Sequence, residues 1–346
     1  MTRRLMNAVI ISAPLDASVQ QIECWRPAPV EVLVRCKFAA VCTTERRIFS
    51  GLRQVYPVIG GHEVSGIVEA VPDGECDLRP GDRVVVDAVR RCGQCYYCSR
   101  GHSNHCVEMK KRKTRSGYVL IGGGFAQFTI APSTRVVKLR DSVEMDQACL
   151  IEPLACCIHS IRKTRLAFGD TLAIIGAGTM GMMHTMLARL LGVRVIVIDI
   201  DDTRLAIASQ LGAHETINAR AADPVQAVKD MTEGRGAEAV VVTGGDRLAG
   251  EQGLAIAARL GSVILYSSTY PPATLAVDWN RIHYDEIVVT GTEGKTERDF
   301  REAVKLVEGG FVNLRPLVSS LISLQELPGE LGAERSGAVF RVIVRH

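Results

Sequence analysis

Four cysteines fall within fifteen residues of the 346-residue chain, as Cys92-Gly-Gln-Cys95-Tyr-Tyr-Cys98 followed by Cys106. Two pairs sharing Cys95 at two-residue spacing can wrap one tetrahedral Zn²⁺ on a single lobe of chain. A closed four-sulfur shell leaves no open coordination position, so this zinc is expected to be structural; an iron–sulfur cluster takes similar ligands. A second donor set is scattered: Cys42, His62 and Glu63 in Gly61-His62-Glu63, and Glu152 in Ile151-Glu152-Pro153. Taken singly, each is more often a packed side chain than a ligand. Together they offer a sulfur, an imidazole and two carboxylates, which lets zinc hold three protein ligands and keep one position for water or substrate. An open zinc lowers the pKa of a hydroxyl that binds it and so prepares an alcohol to give up a hydride.

A hydride needs an acceptor. Gly176-Ala177-Gly178-Thr179-Met180-Gly181 directly follows the apolar run Leu172–Ile175 and opens a helical pattern, Thr179–Leu191. In that context the first glycine permits a tight turn, the second lets the backbone approach a pyrophosphate, and the third lets helix and strand pack closely. The next apolar run, Arg194–Ile198, ends at Asp199, eighteen residues after Gly181. Its carboxylate is placed for adenosine ribose hydroxyls, and Asp201 and Asp202 beside it would repel a 2′-phosphate, so NAD is expected rather than NADP. Arg204 can stack on adenine or hold a phosphate. Thr243, just beyond the run Ala239–Val242, completes the expected cofactor set.

These groups need two kinds of scaffold. Residues 1–150 read as short β segments between Gly, Pro and Asp turns: Glu31–Phe38, Gly66–Val71, Arg83–Val86, Phe125–Ile130 and Val136–Leu139. Leu5–Leu15 follows a basic start like a secretory signal, but Asn7 and Pro14 interrupt it and its alternation suits an opening strand. Beyond about residue 150, six apolar runs alternate with helical periods: Leu172–Ile175, Arg194–Ile198, Thr216–Asn218, Ala239–Val242, Val263–Tyr266 and Ile287–Thr290, with helices such as Pro224–Met231 between them. That alternation predicts a doubly wound parallel sheet. A helix over Arg298–Gly309 and a β run over Ala338–Val344 close the chain, the latter expected to return to the first domain.

Composition narrows the classes. Hydrophobic residues make up 47% and charged residues 23%, which suits a globular protein of two cores. The net charge of +3 is spread along the chain, and the one basic run, Lys110–Arg115, reads as a solvated loop, so neither nucleic acid nor membrane is an expected partner. A cytoplasmic location is expected, where eleven cysteines are explained by metal ligation or burial rather than disulfides.

From end to end the sequence resembles the zinc-containing medium-chain dehydrogenases. Gly61-His62-Glu63-Val-Ser-Gly66, Pro80-Gly81-Asp82-Arg83-Val84 and the four-cysteine lobe each look like family stretches, and Leu150-Ile-Glu152-Pro153-Leu154 is most similar to the sorbitol, threonine and related polyol dehydrogenases. The resemblance implies an α/β protein: a groES-like β-barrel catalytic domain (1–153, with the zinc lobe at 92–106), a Rossmann domain (154–293) and a tail (294–346) returning to the first. It implies one catalytic and one structural Zn²⁺, NAD, a homodimer or homotetramer, and oxidation of a secondary hydroxyl of a polyol, cyclitol, sugar or amino alcohol to the ketone. Cys42 and His62 become zinc ligands, Glu63 and Glu152 carboxylates that ligate directly or through water, and Thr44 the hydroxyl that takes the alcohol proton. Glu45 is expected to pair with Arg341 beneath the catalytic loop.

Two departures bear on substrate. Arg47 stands where many relatives carry a proton-passing histidine, and arginine keeps its proton at ordinary pH, so either water carries the proton out or Arg47 binds cofactor or substrate. Gly294-Lys295, preceded by Glu293, stands where sorbitol-type relatives have an Arg-Tyr; Lys295 can meet an acidic substrate and Glu293 an amine, or both can be exposed loop charges. His159 is expected to pack in a helix. Two rivals are a zinc-free NADPH-dependent quinone or enone reductase of the same superfamily, which needs none of these ligands, and a non-catalytic binding protein retaining the fold.

Overall fold

The computed structural model describes residues 4–72, 76–110, 114–334 and 337–346, so part of the basic run Lys110–Arg115 lies outside the described residues. The chain divides into two compact units, Met1–Ala155 with Thr296–Arg335 and Val339–His346, and Cys156–Lys295 with Ser336–Ala338.

The first unit is built on Glu31–Ala40. This strand pairs antiparallel with Glu63–Ala70, Phe128–Pro132 and Arg341–Arg345, and register shifts at Leu33/Val34 and Cys36/Phe38 bend it. Arg83–Asp87 and Val136–Lys138 extend the sheet on one side and Val318–Ser323 on the other. A five-stranded sheet runs Asp16–Glu23, Leu5–Ala13, Val58–Ile59, Tyr118–Leu120, Thr114–Arg115. Leu5–Ala13 is thus a strand, with Met6 and Ala8–Ile11 buried in a core shared with Val32, Val34, Val64 and Phe125. The chain after Cys42, expected as a loop, is the helix Thr43–Phe49. The strand expected over Phe125–Ile130 begins at Phe128, because Gly122 and Gly123 take positive φ and hold the preceding residues in a turn.

The second unit is a six-stranded parallel sheet. Counted from Thr171–Ile175, its order is 3-2-1-4-5-6, the doubly wound arrangement. Thr171–Ile175 is buried along its whole length, as a central parallel strand covered on both faces must be. The fifth strand runs Ala257–Leu265, six residues earlier than its apolar run suggests. Arg259 and Leu260 are exposed, Leu260 sits at φ 61°, and the pairing slips between Ala237 and Ala239, so the strand's first half is cut off from the apolar run.

Candidate functional site

Cys42 stands at the N-terminus of the helix Thr43–Phe49, just past the end of Glu31–Ala40. One turn in, Glu45 is fully buried and faces Gly60-Gly61-His62. That approach requires both glycines. A Cβ on Gly60 would lie 2.6 Å from Glu45 Cγ, and Gly61, at φ 89°, has no room for one beside the Phe125 and Gly124 backbone. Glu45 Oε1 accepts the Gly61 N–H at 3.0 Å and lies 2.8 Å from His62 Nδ1. This contact fixes the ring and leaves Nε2 as the ligating nitrogen, a carboxylate–histidine arrangement that raises ligand basicity.

The pair therefore differs from the expected one: Glu45 serves His62, and Arg341 serves Glu63. Arg341 Nε and Nη2 donate to the two Glu63 oxygens at 3.0 and 2.8 Å, with both side chains buried. The reason is position. Glu63 opens its strand and Arg341 opens another of the same sheet, whereas Glu45 lies on the helix under the His62 turn. Burial opposes charge on both Glu45 and His62, but their mutual attraction wins: the Glu45 carboxyl is lowered and the His62 imidazole is raised well above its ordinary value, the Cys42 sulfur adding to the latter. Proton and metal compete for such a histidine. Glu45→Gln, which keeps shape but removes charge, is expected to weaken zinc retention about 10- to 100-fold in chelator competition; unchanged retention would remove Glu45 as a positioning residue.

Ligand atoms of Cys42, His62 and Glu63 all lie within 4.8 Å of one another. Two donors on a tetrahedral zinc are about 3.5–4 Å apart, so this set fits the ion. Glu152, buried in the first turn of the helix Ile151–Ile161, does not join that group among the described residues. Thr44 Oγ1 lies 3.9 Å from Cys42 Sγ, and Arg47 is half-buried on the same helix. Cys149, which sequence reading passed over, is buried close enough to Glu63 that burial and that carboxylate push its thiol well up.

The lobe cysteines form a second set: the sulfurs of Cys92, Cys95, Cys98 and Cys106 also lie within 4.8 Å of one another. Three short 3₁₀ turns between Cys98 and Lys110 bring them together. Backbone amides serve the sulfurs, Cys92 N–H donating to Cys106 Sγ at 3.2 Å and Cys95 N–H to Cys92 Sγ at 3.3 Å. Amides of Cys98 and Val107 pull the Cys95 thiol down to about 6. Four thiols with donors turned on them suit a cation held by thiolates.

In the second unit the glycine turn divides its duties. Gly176 takes φ 104°, and a Cβ there would meet Thr243 Oγ1 at 2.6 Å; a Cβ on Gly181 would meet the Gly176 carbonyl at 1.9 Å. Gly178 has nothing within 4 Å of its Cβ position and caps the helix Thr179–Leu190. The first and third glycines thus close the turn, while the second leaves backbone open at a helix N-terminus, where phosphate binds. Thr179 is buried and Met180 half-buried in the first turn of that helix. Thr243 donates to the Gly176 carbonyl at 2.8 Å and braces the turn from below.

Asp199 ends its strand with Oδ2 accepting Ala177 N–H at 2.6 Å and Oδ1 accepting Ile200 and Asp201 N–H at 2.7 and 3.0 Å. It ties the glycine turn to the neighbouring loop. Arg204 is turned onto the Gly337 carbonyl, with Nε and Nη2 at 3.2 and 3.0 Å. Lys295 is 1% exposed, which excludes an exposed loop charge; its run of sequence is polar and glycine-containing and gave no sign of burial. His159 lies in the helix Ile151–Ile161. No helix among the described residues is long and apolar enough to cross a membrane.

Two family models match, the alcohol dehydrogenase GroES-like domain over residues 28–141 and the zinc-binding dehydrogenase domain over 179–309. An L-threonine 3-dehydrogenase of Bacillus subtilis is 30% identical over 321 residues, covering 91% of this chain and 90% of that protein. A sorbitol dehydrogenase of Halalkalibacterium halodurans is 28% identical, covering 92% of each. A crystal structure from Sinorhizobium meliloti 1021, assigned to the zinc-binding dehydrogenases and bound to NADP, superposes with a TM-score of 0.92 at 27% identity, over 99% of this chain and 100% of that one. The relatives are matched along nearly their whole length, and the chain belongs to the zinc-containing medium-chain alcohol dehydrogenase family of oxidoreductases.

Proposed function

We propose that the chain oxidises a secondary hydroxyl of a polyol, cyclitol, sugar or amino alcohol to the ketone, reversibly, with NAD and one catalytic zinc, while a second zinc braces the cysteine lobe. The observation that carries this reading is the convergence of Cys42, His62 and a buried carboxylate, with His62 oriented by Glu45. A zinc-free reductase would have no need of that set. Zinc bound there supplies Lewis acidity that lowers the pKa of a substrate hydroxyl, and NAD supplies the hydride acceptor at its nicotinamide C4. Cys42 and His62 hold the metal, with Glu63 the carboxylate nearest to them and Glu152 the alternative. Arg341 holds Glu63 in place through two hydrogen bonds. Thr44 takes the hydroxyl proton; Arg47 cannot relay it, so water carries it onward while Arg47 stays a cation for cofactor or substrate.

NAD rests on Asp199 and on the engagement of Arg204 by Gly337. The similar structure that binds NADP makes this worth testing. Asp199→Asn is expected to lower the ratio of kcat/KM for NAD over NADP by about tenfold to a hundredfold, the worth of a charge-assisted hydrogen bond. An unchanged ratio would show that Asp199 does not choose the cofactor.

An NADH-production screen over polyols, cyclitols, amino alcohols and acidic hydroxy compounds tests the substrate class. Turnover of none of them would sink the reading. An acidic group on the substrate is the alternative that Lys295 would meet. Lys295→Ala is then expected to abolish a preference for acidic alcohols, and indifference to the change would remove that role. A homodimer or homotetramer belongs to the same proposal: Val288–Gly291 is an outer strand of its sheet, and Trp279 and Tyr284 nearby in sequence are largely exposed. Sedimentation at the mass of a single chain would contradict it.

A further inference from the structure

Within the first unit, between the barrel strands and the start of the cysteine lobe, lies a cavity of about 470 Å³, in the size range of small-molecule sites. None of the residues assigned above to catalysis or cofactor lines it; of the proposed metal ligands only Cys92 does. Its charged walls are Arg90, Arg91 and Arg135 on one side of the ledger and Glu31, Asp87 and Glu108 on the other.

The carboxylates are not evenly available to the arginines. Asp87 forms an ion pair with Arg91, both side chains almost fully buried, and also accepts the Val89 N–H. Glu31 is held by an arginine outside the lining, Arg115, at 2.7 Å, and accepts the Ala28 N–H at 2.9 Å. Arg91 also reaches Glu297, outside the lining, at 4.0 Å, so among the described residues the lining guanidinium groups without an ion pair are those of Arg90 and Arg135. Arg135 gives Nη1 to a neutral acceptor, the Val89 carbonyl, at 2.7 Å. No carboxylate among the described residues forms an ion pair with Arg90. Burial lowers the Arg135 pKa; Asp87 and Glu297 oppose this, and the charges of Arg91 and Arg90 add to the lowering. Like charges gathered in a recess are stabilised by an anion placed among them.

We propose that this cavity binds a small oxyanion, with phosphate its simplest form, held by the forked donors of Arg90 and Arg135. Guanidinium geometry matches an oxyanion in a bidentate manner, and an arginine pair supplies the charge that a single lysine would not orient. The anion would sit against the segment from Asp87 to Cys92, which connects a barrel strand to the first lobe sulfur. Its occupancy is then felt in how firmly the lobe retains its metal, which gives a readout apart from catalysis.

The test is titration of inorganic phosphate into the zinc-loaded protein at ionic strength held constant with chloride, followed by calorimetry and by the rate of zinc loss to a chelator. The glycine turn at 176–181 also attracts phosphate, so the quantity read is the difference between wild type and variants. Wild type is expected to show saturable binding that slows zinc release, and Arg135→Gln and Arg90→Gln each to weaken that binding by about tenfold or more, with Arg90→Lys recovering part of it. Arg90 is half-buried and has no ion pair to lose, so its variants remain informative if Arg135→Gln folds poorly. Equal phosphate binding by wild type and both glutamine variants, or no saturable binding by wild type, would overturn the proposal.

Discussion

Cys42→Ala protein is expected to lose at least about a thousandfold in kcat/KM while remaining folded and keeping the lobe metal. Lewis-acid stabilisation is worth several kcal/mol, and each 1.36 kcal/mol is tenfold in rate, so removal of the metal costs about three orders of magnitude or more. Cys42 is the sulfur of a set whose other members, His62 and Glu63, are already committed to Glu45 and Arg341. Without the thiolate, two ligands remain, and neither can move: Glu45 is buried against Gly60 and Gly61, and Arg341 grips Glu63 with both donors. The half-buried position of Cys42 at a helix start makes a fold defect from its truncation small. Steady-state kinetics with metal analysis checks this. A Cys42→Ala enzyme within tenfold of wild type would mean that the cluster does not hold the reacting metal.

Cys106→Ala is expected to act the opposite way, striking stability before chemistry. Cys106 is completely buried, its sulfur accepts the Cys92 N–H, and the lobe between the two is only turns. Such a segment has too little apolar surface to order itself, so a metal held by the four sulfurs would supply folding free energy directly. Loss of one thiolate is expected to release the lobe zinc and cost about 3 kcal/mol or more, a fall in Tm of about 6–12 °C for a unit of this size. The site at Cys42 should keep its metal, and the residual activity per folded molecule should stay near wild type. Thermal denaturation with zinc analysis decides it; an unchanged Tm would contradict a structural metal in the lobe.

The fold was legible where side chains repeat with the period of their element. Thr171–Ile175 and Arg194–Asp199 are apolar on both faces and stand out as central parallel strands, and Pro224–Met231 announces itself with Asp223 as cap and proline at its start. The fifth strand was legible only in its second half, since Arg259 and Leu260 are exposed and Leu260 takes a positive φ, which breaks its pattern.

Within the candidate site, residues close in sequence to their partners were easier to foresee than those joined by tertiary folding. The three glycines carry out in space the separate duties that their spacing implies, because a turn between strand and helix is a local structure. Pairing across the sheet is not local. Glu45 and Glu63 are both carboxylates near a metal ligand, and nothing in their order says which one Arg341 will reach, 278 residues beyond Glu63. Lys295 shows the same limit: charge type argues for exposure, and the structure buries it.

The most direct test is zinc analysis of the purified wild-type protein alongside alcohol-dependent NADH formation. About two zincs per chain are expected, one for each donor set, with activity lost when a chelator removes the first and restored when zinc is returned. Full alcohol-dependent NADH formation by metal-free protein would contradict the account.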